Sequence, residues 1–493
     1  MKVKIQKVLK KEKGLLLVPY FKDEKKVPAY YNDELKKLLE KAISEKEFAG
    51  KGGEKKYFTV ESKGMPEKVL FMGVGKKGKF SSERARKIGA DLCMAARDLK
   101  ENNIIVLMAP EMDLYANELV EGIALKDYRI SKYKTGEDYE LERKTILQDI
   151  VLVSKKEGKE IEKAVERALT IAQATNVTKD LVNGPANIID IDYFETVAKQ
   201  LKSDYGYKVT ILNKPELEKQ GWGGLLAVNQ GSYTPAKVVT IEYNGGKPGE
   251  NPIVLVGKGV VFDSGGYNLK PSNHMEDMHS DKAGASAIVG IFTALKELKI
   301  KRNVVGVLLL TENMIDGKAF RPSDVIKMLN GKTCEIKNTD AEGRLILADG
   351  VYYAQKKFKP ECLIDIATLT GAAMVALGDR YTAFFTKDSD VRKRLLQAGE
   401  ETGDLLWELP LHKDHLEKIK SQVADYCNAD VGTSHLAGSS KGAAFVAMFV
   451  EKGMKWTHLD IAGTAYTHDP KKYEQKGATG VGVRFLLNFI ENY

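Results

Sequence analysis

The sequence predicts an α/β protein of two domains, a smaller N-terminal α/β domain and a larger C-terminal domain with a mainly parallel mixed sheet flanked by helices. Three observations favour this fold class. The chain has 493 residues, beyond the size at which one hydrophobic core keeps growing. From residue 209 onward, short β-rich runs alternate with helical patterns, as expected when helices cover both faces of a parallel sheet. A charged stretch at residues 155–160 separates this region from the N-terminal third.

The N-terminal domain is predicted to span residues 1–155. One helix is predicted at residues 81–100, because Ser81 and Glu83 form a capping signal at its start. The strand candidates are the short apolar runs at residues 15–18, 69–72 and 104–108.

A linker helix is predicted at residues 156–180, on a helical pattern that begins at Ile161. The C-terminal domain then spans residues 181–493. Its strand candidates are residues 209–212, 238–243, 253–256, 304–311, 362–367 and 458–461.

Composition narrows the classes of function. Lys and Arg total 76 against 68 Asp and Glu, and the net charge of +8 is small for this length, which argues against a dedicated nucleic-acid binder. The four cysteines form no Cys-x-x-Cys pair, so neither a zinc ribbon nor a disulfide scaffold is indicated, and a reducing cytoplasm is expected. The N-terminus lacks the pattern of a signal peptide. No apolar run approaches the ~18 residues of a membrane span, so no membrane partner is expected.

Two carboxylates and a guanidinium stand close together in residues 338–345, Asn-Thr-Asp-Ala-Glu-Gly-Arg-Leu. Asp340 and Glu342 are two residues apart, and carboxylates this close repel unless a proton or cation neutralises them. One or two metal ions are therefore their natural partner. Glu342 also precedes a helical pattern at residues 345–357, whose first amides could help to hold an anion beside Arg344.

A second polar cluster lies in the glycine-rich residues 256–271, Val-Gly-Lys-Gly-Val-Val-Phe-Asp-Ser-Gly-Gly-Tyr-Asn-Leu-Lys-Pro, and continues to Asp281. It contributes Lys258, Asp263 and Lys270. Both clusters are predicted to fall just past the carboxyl ends of strands, where open α/β sheets place ligands. Glycines in this stretch let the backbone turn sharply and approach an ion or a substrate; they are Gly257, Gly259, Gly265 and Gly266.

Each of these residues alone has an ordinary structural explanation. Acids often stabilise helix N-termini or turns, and single lysines usually lie on the surface. Four acids and two lysines in loops at one sheet edge would, however, repel or remain unpaired without ions. The combination therefore favours a metal site.

These two stretches resemble the motifs of the leucyl aminopeptidase family, the cytosolic two-metal aminopeptidases. Both motifs are long and nearly free of gaps. The likeness covers the C-terminal two thirds of the chain, from Asn-Gly-Pro-Ala-Asn at residues 183–187 to residues 456–463, whereas the N-terminal third is only loosely similar. The resemblance implies that the C-terminal domain is catalytic. It also implies hydrolysis of the N-terminal residue, preferably leucine or another large apolar residue, from short peptides.

Carried over position by position, the resemblance implies five metal ligands. Asp263 and Glu342 would bridge two divalent ions. Lys258 and Asp281 would complete the tighter site. Asp340 would complete the more exchangeable one. The ions would be Zn²⁺ or Mn²⁺, with Mg²⁺ or Co²⁺ as alternatives at the exchangeable site, and they would activate a water.

The resemblance also assigns two catalytic residues and a pocket for the first side chain of the substrate. Lys270 would stabilise the developing oxyanion, and Arg344 would hold a bicarbonate that acts as general base. The pocket positions are mostly small or apolar residues: Met278, Thr368, Gly371, Ala462 and Ala465. Two positions depart from the family pattern, His279 where Lys or Arg is usual and Lys282 where Met is usual.

Two other classes of function stay open at this stage. Another metal hydrolase, such as a phosphoesterase, would want several phosphate-clamping basic groups, and only Lys270 and Arg344 are obvious candidates. A DNA-bound architectural role, which some members of the resembled family also have, is neither supported nor excluded by the charge. The resemblance further implies a homohexamer whose active sites face an interior cavity.

Overall fold

The computed structural model describes residues 1–24, 26–155, 158–430 and 436–493. The chain divides into two units. Unit 1 comprises Met1–Gln173 and Pro470–Gln475, and unit 2 comprises Ala174–Asp469 and Lys476–Tyr493. The division falls within the predicted linker, whose first two residues, 156 and 157, lie outside the described residues. A helix at Lys159–Asn183 extends through the rest of that linker.

Unit 1 is built on a six-stranded sheet of order β1-β6-β5-β2-β4-β3. All neighbours are parallel except the edge pair β3 and β4. The strands are β1 Lys2–Gln6, β2 Leu15–Phe21, β3 Lys55–Thr59, β4 Lys68–Gly75, β5 Asn103–Leu107 and β6 Asp149–Val153. The helices are α1 Asp33–Ser44, α2 Ser82–Asp98, α3 Ala116–Lys126 and α4 Glu137–Lys144, and α5 (Lys159–Asn183) begins here. The predicted capping signal is confirmed, since the Ser81 hydroxyl accepts from the Arg84 amide at 3.3 Å.

The short segment Pro470–Gln475 completes unit 1 through one buried aromatic residue. Tyr473 is 5% exposed and packs in a cluster with Ala90, Leu125 and Ala172. Its hydroxyl donates to the Glu83 carboxylate at 3.1 Å. Burial of such a side chain removes a large apolar surface from water, so this distant part of the chain supports the core of unit 1.

Unit 2 contains an eight-stranded mixed sheet of order β15-β14-β17-β13-β9-β10-β8-β7 and smaller sheets β11-β12-β16 and β18-β19. The strands are β7 Lys208–Leu212, β8 Lys237–Asn244, β9 Ile253–Asp263, β10 Asn303–Asn313, β11 Val325–Lys327, β12 Thr333–Glu335, β13 Cys362–Ala367, β14 Thr382–Thr386, β15 Leu406–Glu408, β16 Tyr426–Cys427, β17 Trp456–Asp460, β18 Tyr466–Thr467 and β19 Gly477–Ala478. The helices are α6 Ile191–Tyr205, α7 Lys214–Gln220, α8 Gly223–Asn229, α9 Ala283–Leu295, α10 Glu342–Phe358, α11 Gly371–Leu377, α12 Ser389–Thr402, α13 Lys413–Glu417, α14 Gly438–Ala447 and α15 Val483–Asn492.

The centre of this sheet, β17-β13-β9-β10, is parallel and is covered on both faces. A Cβ atom added at Gly257 would lie 2.8 Å from the Ala285 Cα on α9. A Cβ added at Gly350 on α10 would instead lie 2.9 Å from a methyl group of Val256. Because neighbouring residues of a strand point to opposite faces, α9 and α10 cover opposite sides of β9. The predicted fold class is confirmed.

One local prediction is wrong. Lys258 was expected past the end of a strand at residues 253–256, but β9 continues to Asp263 and Lys258 lies inside it. Gly257 and Gly259 are therefore not turn residues. A Cβ at 257 would be 2.8 Å from the Ala285 Cα, and one at 259 would be 3.0 Å from the Ala285 Cβ. These glycines let α9 lie close to the sheet.

Within the described part of the chain, no helix combines the length and the apolar character needed to cross a bilayer.

Candidate active site

The carboxyl ends of the central parallel strands carry a group of polar residues. Asp263, Asn313 and Asp460 are the last residues of β9, β10 and β17, and Thr368 follows β13 directly. A register shift between Thr311 and Asn313 places Asn313 opposite Asp263, and bulges of this kind commonly re-aim side chains next to functional sites. The parallel strands thus bring these side chains to one edge of the sheet, as predicted for a ligand site.

Three carboxylates from two separate motifs meet at this edge. Asp263, Asp340 and Glu342 each place an oxygen within 4.8 Å of the other two. Asp263 and Glu342 are only 2% and 1% exposed. Asp340 lies in the loop between β12 and α10, and Glu342 is the first residue of α10. The two sequence motifs therefore form one site.

Lys258 connects the fourth predicted carboxylate to this group. Its Nζ lies 2.8 Å from Asp281 Oδ2 and 2.7 Å from Glu342 Oε1, and it donates to the Thr368 carbonyl at 2.8 Å. Asp281 is 4% exposed and lies in a short 3₁₀ helix, Met278–Lys282, just before α9. The five predicted ligands are thus contiguous.

Lys270 contacts the opposite pair of acids. Its Nζ lies 2.9 Å from Asp263 Oδ2 and 2.5 Å from Asp340 Oδ1. Its side chain is 14% exposed, compared with 3% for Lys258. The two lysines therefore differ in surroundings, because Lys258 is enclosed and Lys270 reaches the cluster from a more open side.

The carboxylates carry more negative charge than their surroundings accommodate. Burial, with repulsion from Asp263 and Glu342, raises the pKa of Asp281 to about 8 despite Lys258. Burial and the same two neighbours raise the pKa of Asp340 to about 7 despite Lys270. Burial disfavours the charge on both lysines, but the carboxylates outweigh it and hold each lysine pKa above its ordinary value. Added positive charge would relieve this repulsion.

The donor set fits divalent cations. The buried Oε2 atom of Glu342 accepts no hydrogen bond from the described residues. Four carboxylates and one amine supply mainly oxygen donors, which suit Mn²⁺ or Mg²⁺ and are also accepted by Zn²⁺. The residues present can therefore hold metal ions.

Two glycines permit the close approach of the charged groups. Gly265 has φ of +86°, in the left-handed region, and a Cβ there would lie 2.9 Å from Asp340 Oδ1. At Gly343 a Cβ would lie 2.9 Å from the Nζ of Lys258. The expectation for Gly265 is met, since a side chain there would be strained and would crowd the carboxylate.

Arg344 lies in the first turn of α10, beside Glu342. Its Nη1 donates to the Asn428 carbonyl at 2.9 Å. Its buried Nε donates no hydrogen bond to the described residues. Burial lowers the Arg344 pKa from its ordinary value, with Glu342 and Asp460 opposing the shift. A guanidinium with an unused donor suits an anion.

The predicted pocket residues lie on segments that contain or follow residues of this site. Met278 belongs to the same 3₁₀ helix as Asp281. The Thr368 hydroxyl donates to Asp281 Oδ1 at 2.6 Å. Gly371 is exposed at the start of α11.

The Asp460 carboxylate joins the segments that follow β13 and β17. It accepts from the Thr370 hydroxyl at 2.7 Å, the Leu369 amide at 3.1 Å and the Ala462 amide at 3.2 Å. Ala462 is half-buried, and Ala465 is only 3% exposed. The side-chain pocket itself stays a prediction.

The two departures from the family pattern have distinct environments. His279 is half-buried and packs edge-to-face against Tyr466, with ring centroids 5.7 Å apart. Lys282 is fully buried and donates to the Gly184 carbonyl at 2.7 Å. Burial lowers the pKa of Lys282 to about 7, with Asp190 opposing. Its hydrogen bond thus goes to the backbone and not to a carboxylate of the site.

Sequence reasoning missed a residue that supports Asp263. Asn313 is fully buried, and its Nδ2 donates to Asp263 Oδ1 at 2.8 Å and to the Thr339 carbonyl at 3.1 Å. Groups that orient metal ligands in this way commonly affect metal affinity. Asn313 could have been found from the sequence, because it stands at the end of the apolar run of β10 just as Asp263 follows an apolar run.

Comparisons with known proteins agree with this geometry. The model of the cytosol aminopeptidase family, catalytic domain, matches residues 176–487, and that of the family's N-terminal domain matches residues 17–137. A probable cytosol aminopeptidase of Rickettsia bellii (strain RML369-C) is 38% identical over 464 residues, covering 92% of each chain. One of Geobacter sp. (strain M21) is 37% identical over 479 residues, covering 96% of each.

Solved structures show the same fold. The bottromycin maturation enzyme BotP superposes with a TM-score of 0.84 at 30% identity, covering 97% of this chain and 98% of BotP. BotP is also known in complex with Mn. A mutant of tomato leucine aminopeptidase gives a TM-score of 0.84 at 30% identity, covering 99% of this chain and 97% of that one. The chain therefore belongs to the cytosol aminopeptidase family, a family of metal-dependent aminopeptidases.

Proposed function

We propose that this aminopeptidase removes leucine or another large apolar residue from the N-terminus of short peptides, with a water activated at a pair of divalent ions. The observation that carries the proposal is the single, largely buried cluster formed by five predicted ligands from distant parts of the chain: Lys258, Asp263, Asp281, Asp340 and Glu342. With Lys258 neutral as a ligand and Lys270 charged, the four carboxylates retain three negative charges, more than one divalent ion can neutralise. This excess of negative charge supports a pair of ions rather than one.

The ligands would divide between the two ions by position. By the family resemblance, Asp263 and Glu342 would contribute to both sites. The enclosed Lys258 and Asp281 would complete the tighter site, and Asp340, on its loop, the exchangeable one. Zn²⁺ and Mn²⁺ are the proposed ions, with Mg²⁺ or Co²⁺ as alternatives at the exchangeable site. When bound, such ions lower the pKa of a coordinated water and polarise a carbonyl group.

Two side chains would serve the reaction without binding metal. The Nζ of Lys270 is the more open amine and would donate to the oxyanion that develops on the substrate carbonyl. Arg344 has an unused buried donor and would hold a bicarbonate as general base. The small and apolar pocket residues, Met278, Thr368, Gly371, Ala462 and Ala465, would receive the first side chain.

An arylamide assay tests the activity directly. We expect the purified protein to hydrolyse leucine p-nitroanilide, to lose this activity with a chelator and to regain it with Mn²⁺ or Zn²⁺. Leucine and methionine substrates should be cleaved faster than aspartate substrates, because the pocket residues are uncharged. They should also be cleaved faster than glycine substrates, because glycine has no side chain to occupy the pocket. Blocking the substrate amine by acetylation should abolish cleavage. Chelator-insensitive activity, or equal cleavage of the acetylated substrate, would contradict the proposal.

The assembly and location are part of the same proposal. We expect a homohexamer in the cytoplasm, with the sites facing an interior cavity that admits short peptides. Light scattering of the purified protein should give about six times the 54.6 kDa mass of one chain. A stable monomer with full activity would contradict this expectation.

A further inference from the structure

The loop that carries Asp340 has no regular secondary structure of its own. It connects β12, which ends at Glu335, to α10, which begins at Glu342. Asp263 is fixed by a strand and Glu342 by a helix. Inside the loop the Asp340 amide donates to Asn338 Oδ1 at 2.8 Å, and residues from other parts of the chain hold the loop in place. One side of the loop is held by Asn268, whose Oδ1 accepts from the Thr339 amide at 2.8 Å.

The other side of the loop is held by one residue that follows β16. Asn428 is fully buried. Its Oδ1 accepts from the amides of Lys337 at 2.8 Å and Asn338 at 3.2 Å. Its Nδ2 donates to the carbonyls of Asn338 at 2.6 Å and Ala341 at 3.3 Å. Both donors and both acceptor positions of the amide are used, all on the backbone that flanks Asp340.

The same residue also contacts the catalytic arginine. The backbone carbonyl of Asn428 accepts from Arg344 Nη1 at 2.9 Å. Arg344 is thereby tied to the residue that holds the Asp340 loop. A shift of Asn428 would move the guanidinium relative to Asp340.

We infer that Asn428 is a positioning residue that sets the placement of the Asp340 carboxylate and of the Arg344 guanidinium in one site. This inference rests on the proposed function, in which Asp340 serves the exchangeable metal site. The side-chain amide is required, because a carboxylate offers the two acceptors but cannot donate to the carbonyls of Asn338 and Ala341. An aspartate would instead face those carbonyls with a negative charge.

The test compares Asn428→Ala and Asn428→Asp with the wild-type protein at full length. We expect Mn²⁺ titration by calorimetry to show a loss of roughly 10- to 100-fold in the affinity of the weaker site, which is the exchangeable site that contains Asp340. This is the usual range for groups that orient metal ligands. The affinity of the tighter site should not change. With leucine p-nitroanilide at saturating Mn²⁺, kcat should fall by a similar factor and KM should change less. Asn428→Asp should be at least as impaired as Asn428→Ala.

Asn229→Ala provides a matched control. Asn229 is 4% exposed and lies in the same unit. Its side chain also binds backbone, accepting from the Ala236 amide at 2.9 Å and donating to the Thr234 carbonyl at 3.0 Å. We expect this variant to have a lower Tm, with unchanged Mn²⁺ affinities and kcat. If Asn428→Ala acted only by destabilising the fold, it would behave like this control. Its Tm would fall, and the Mn²⁺ affinity of the weaker metal site would not change.

The outcomes distinguish a failure of the Asn428 inference from a failure of the proposed function. If both Asn428 variants lower Tm but keep the weaker-site affinity and kcat, Asn428 is structural and the inference is overturned. A wild-type protein that binds only one ion would overturn it as well. If the wild type binds two ions but cleaves no aminoacyl arylamide, the proposed function fails while the titration still decides the role of Asn428. Asn428→Ser, whose short hydroxyl cannot reach all four backbone groups, replaces the other variants if neither folds.

Discussion

Replacing Glu342 with glutamine should remove most of the activity together with part of the bound metal. Glu342 is 1% exposed, its Oε1 contacts Lys258, and its Oε2 has no hydrogen-bond donor among the described residues. An amide in the same place removes one of four negative charges and can offer only one oxygen to a cation. Because one carboxylate would serve both ions, we expect the metal stoichiometry to fall below two. We expect kcat/KM to fall at least ~100-fold, the upper range for residues that merely support ligands.

Glu335→Gln is the matched control for this change. Glu335 is also largely buried and lies seven residues before Glu342. Its carboxylate contacts Lys337 and Ser421 instead of the residues of the site. Metal content by plasma emission spectroscopy and kcat/KM should both stay near the wild-type values. Two ions per chain and intact activity in Glu342→Gln would show that Glu342 does not bridge.

Two lysines of one site should respond in opposite ways to substitution. Lys258 can bind a metal only as a neutral amine, so bound ions must pull its pKa far below the ~10.4 of a free lysine. Lys270 is useful only when charged, since it would meet a developing oxyanion. Lys270→Ala should keep both metals and much of the substrate affinity, while kcat falls ~100-fold or more, as for loss of one oxyanion donor. Lys258→Ala should weaken the tighter metal site, with activity partly restored at high metal concentration.

Lys258→Arg sharpens this comparison. A guanidinium stays protonated and cannot bind a metal ion, so arginine should not rescue the tighter site. There is also little space for it, because the Lys258 side chain is 3% exposed and a Cβ atom at position 343 would already lie 2.9 Å from its Nζ. Calorimetric metal titrations of the three variants are the measurement. Loss of metal in Lys270→Ala together with full occupancy in Lys258→Ala would reverse the assignment.

Much of the fold follows from local pattern. The long apolar runs of β9 and β10 were predictable because strands buried on both faces require them. The extension of β9 through Lys258 was not, since glycine and lysine usually indicate a loop. Only the packing of Ala285 on α9 shows why glycine is needed at position 257.

The charged residues of the site could be predicted from the sequence, whereas a neutral residue that supports them could not. Asp340 and Glu342 stand together in the sequence, so their repulsion was evident without coordinates. Asn428 lies 88 residues from Asp340 and carries no charge. Its role arises from four hydrogen bonds to backbone, and such a long-range contact has no local signature in one sequence.

Tyr473 belongs to unit 1 although it lies far from the rest of that unit in the sequence, and this limits which gene fusions can transfer the unit intact. A gene fusion that transferred residues 1–173 alone would leave Pro470–Gln475 behind, although that segment belongs to the same unit. The transferred piece would expose the surface formed by Ala90, Leu125 and Ala172 and would lose the acceptor contact at Glu83. Unit 1 is thus formed by two separate stretches of the chain, so a fusion at a single junction cannot transfer it whole.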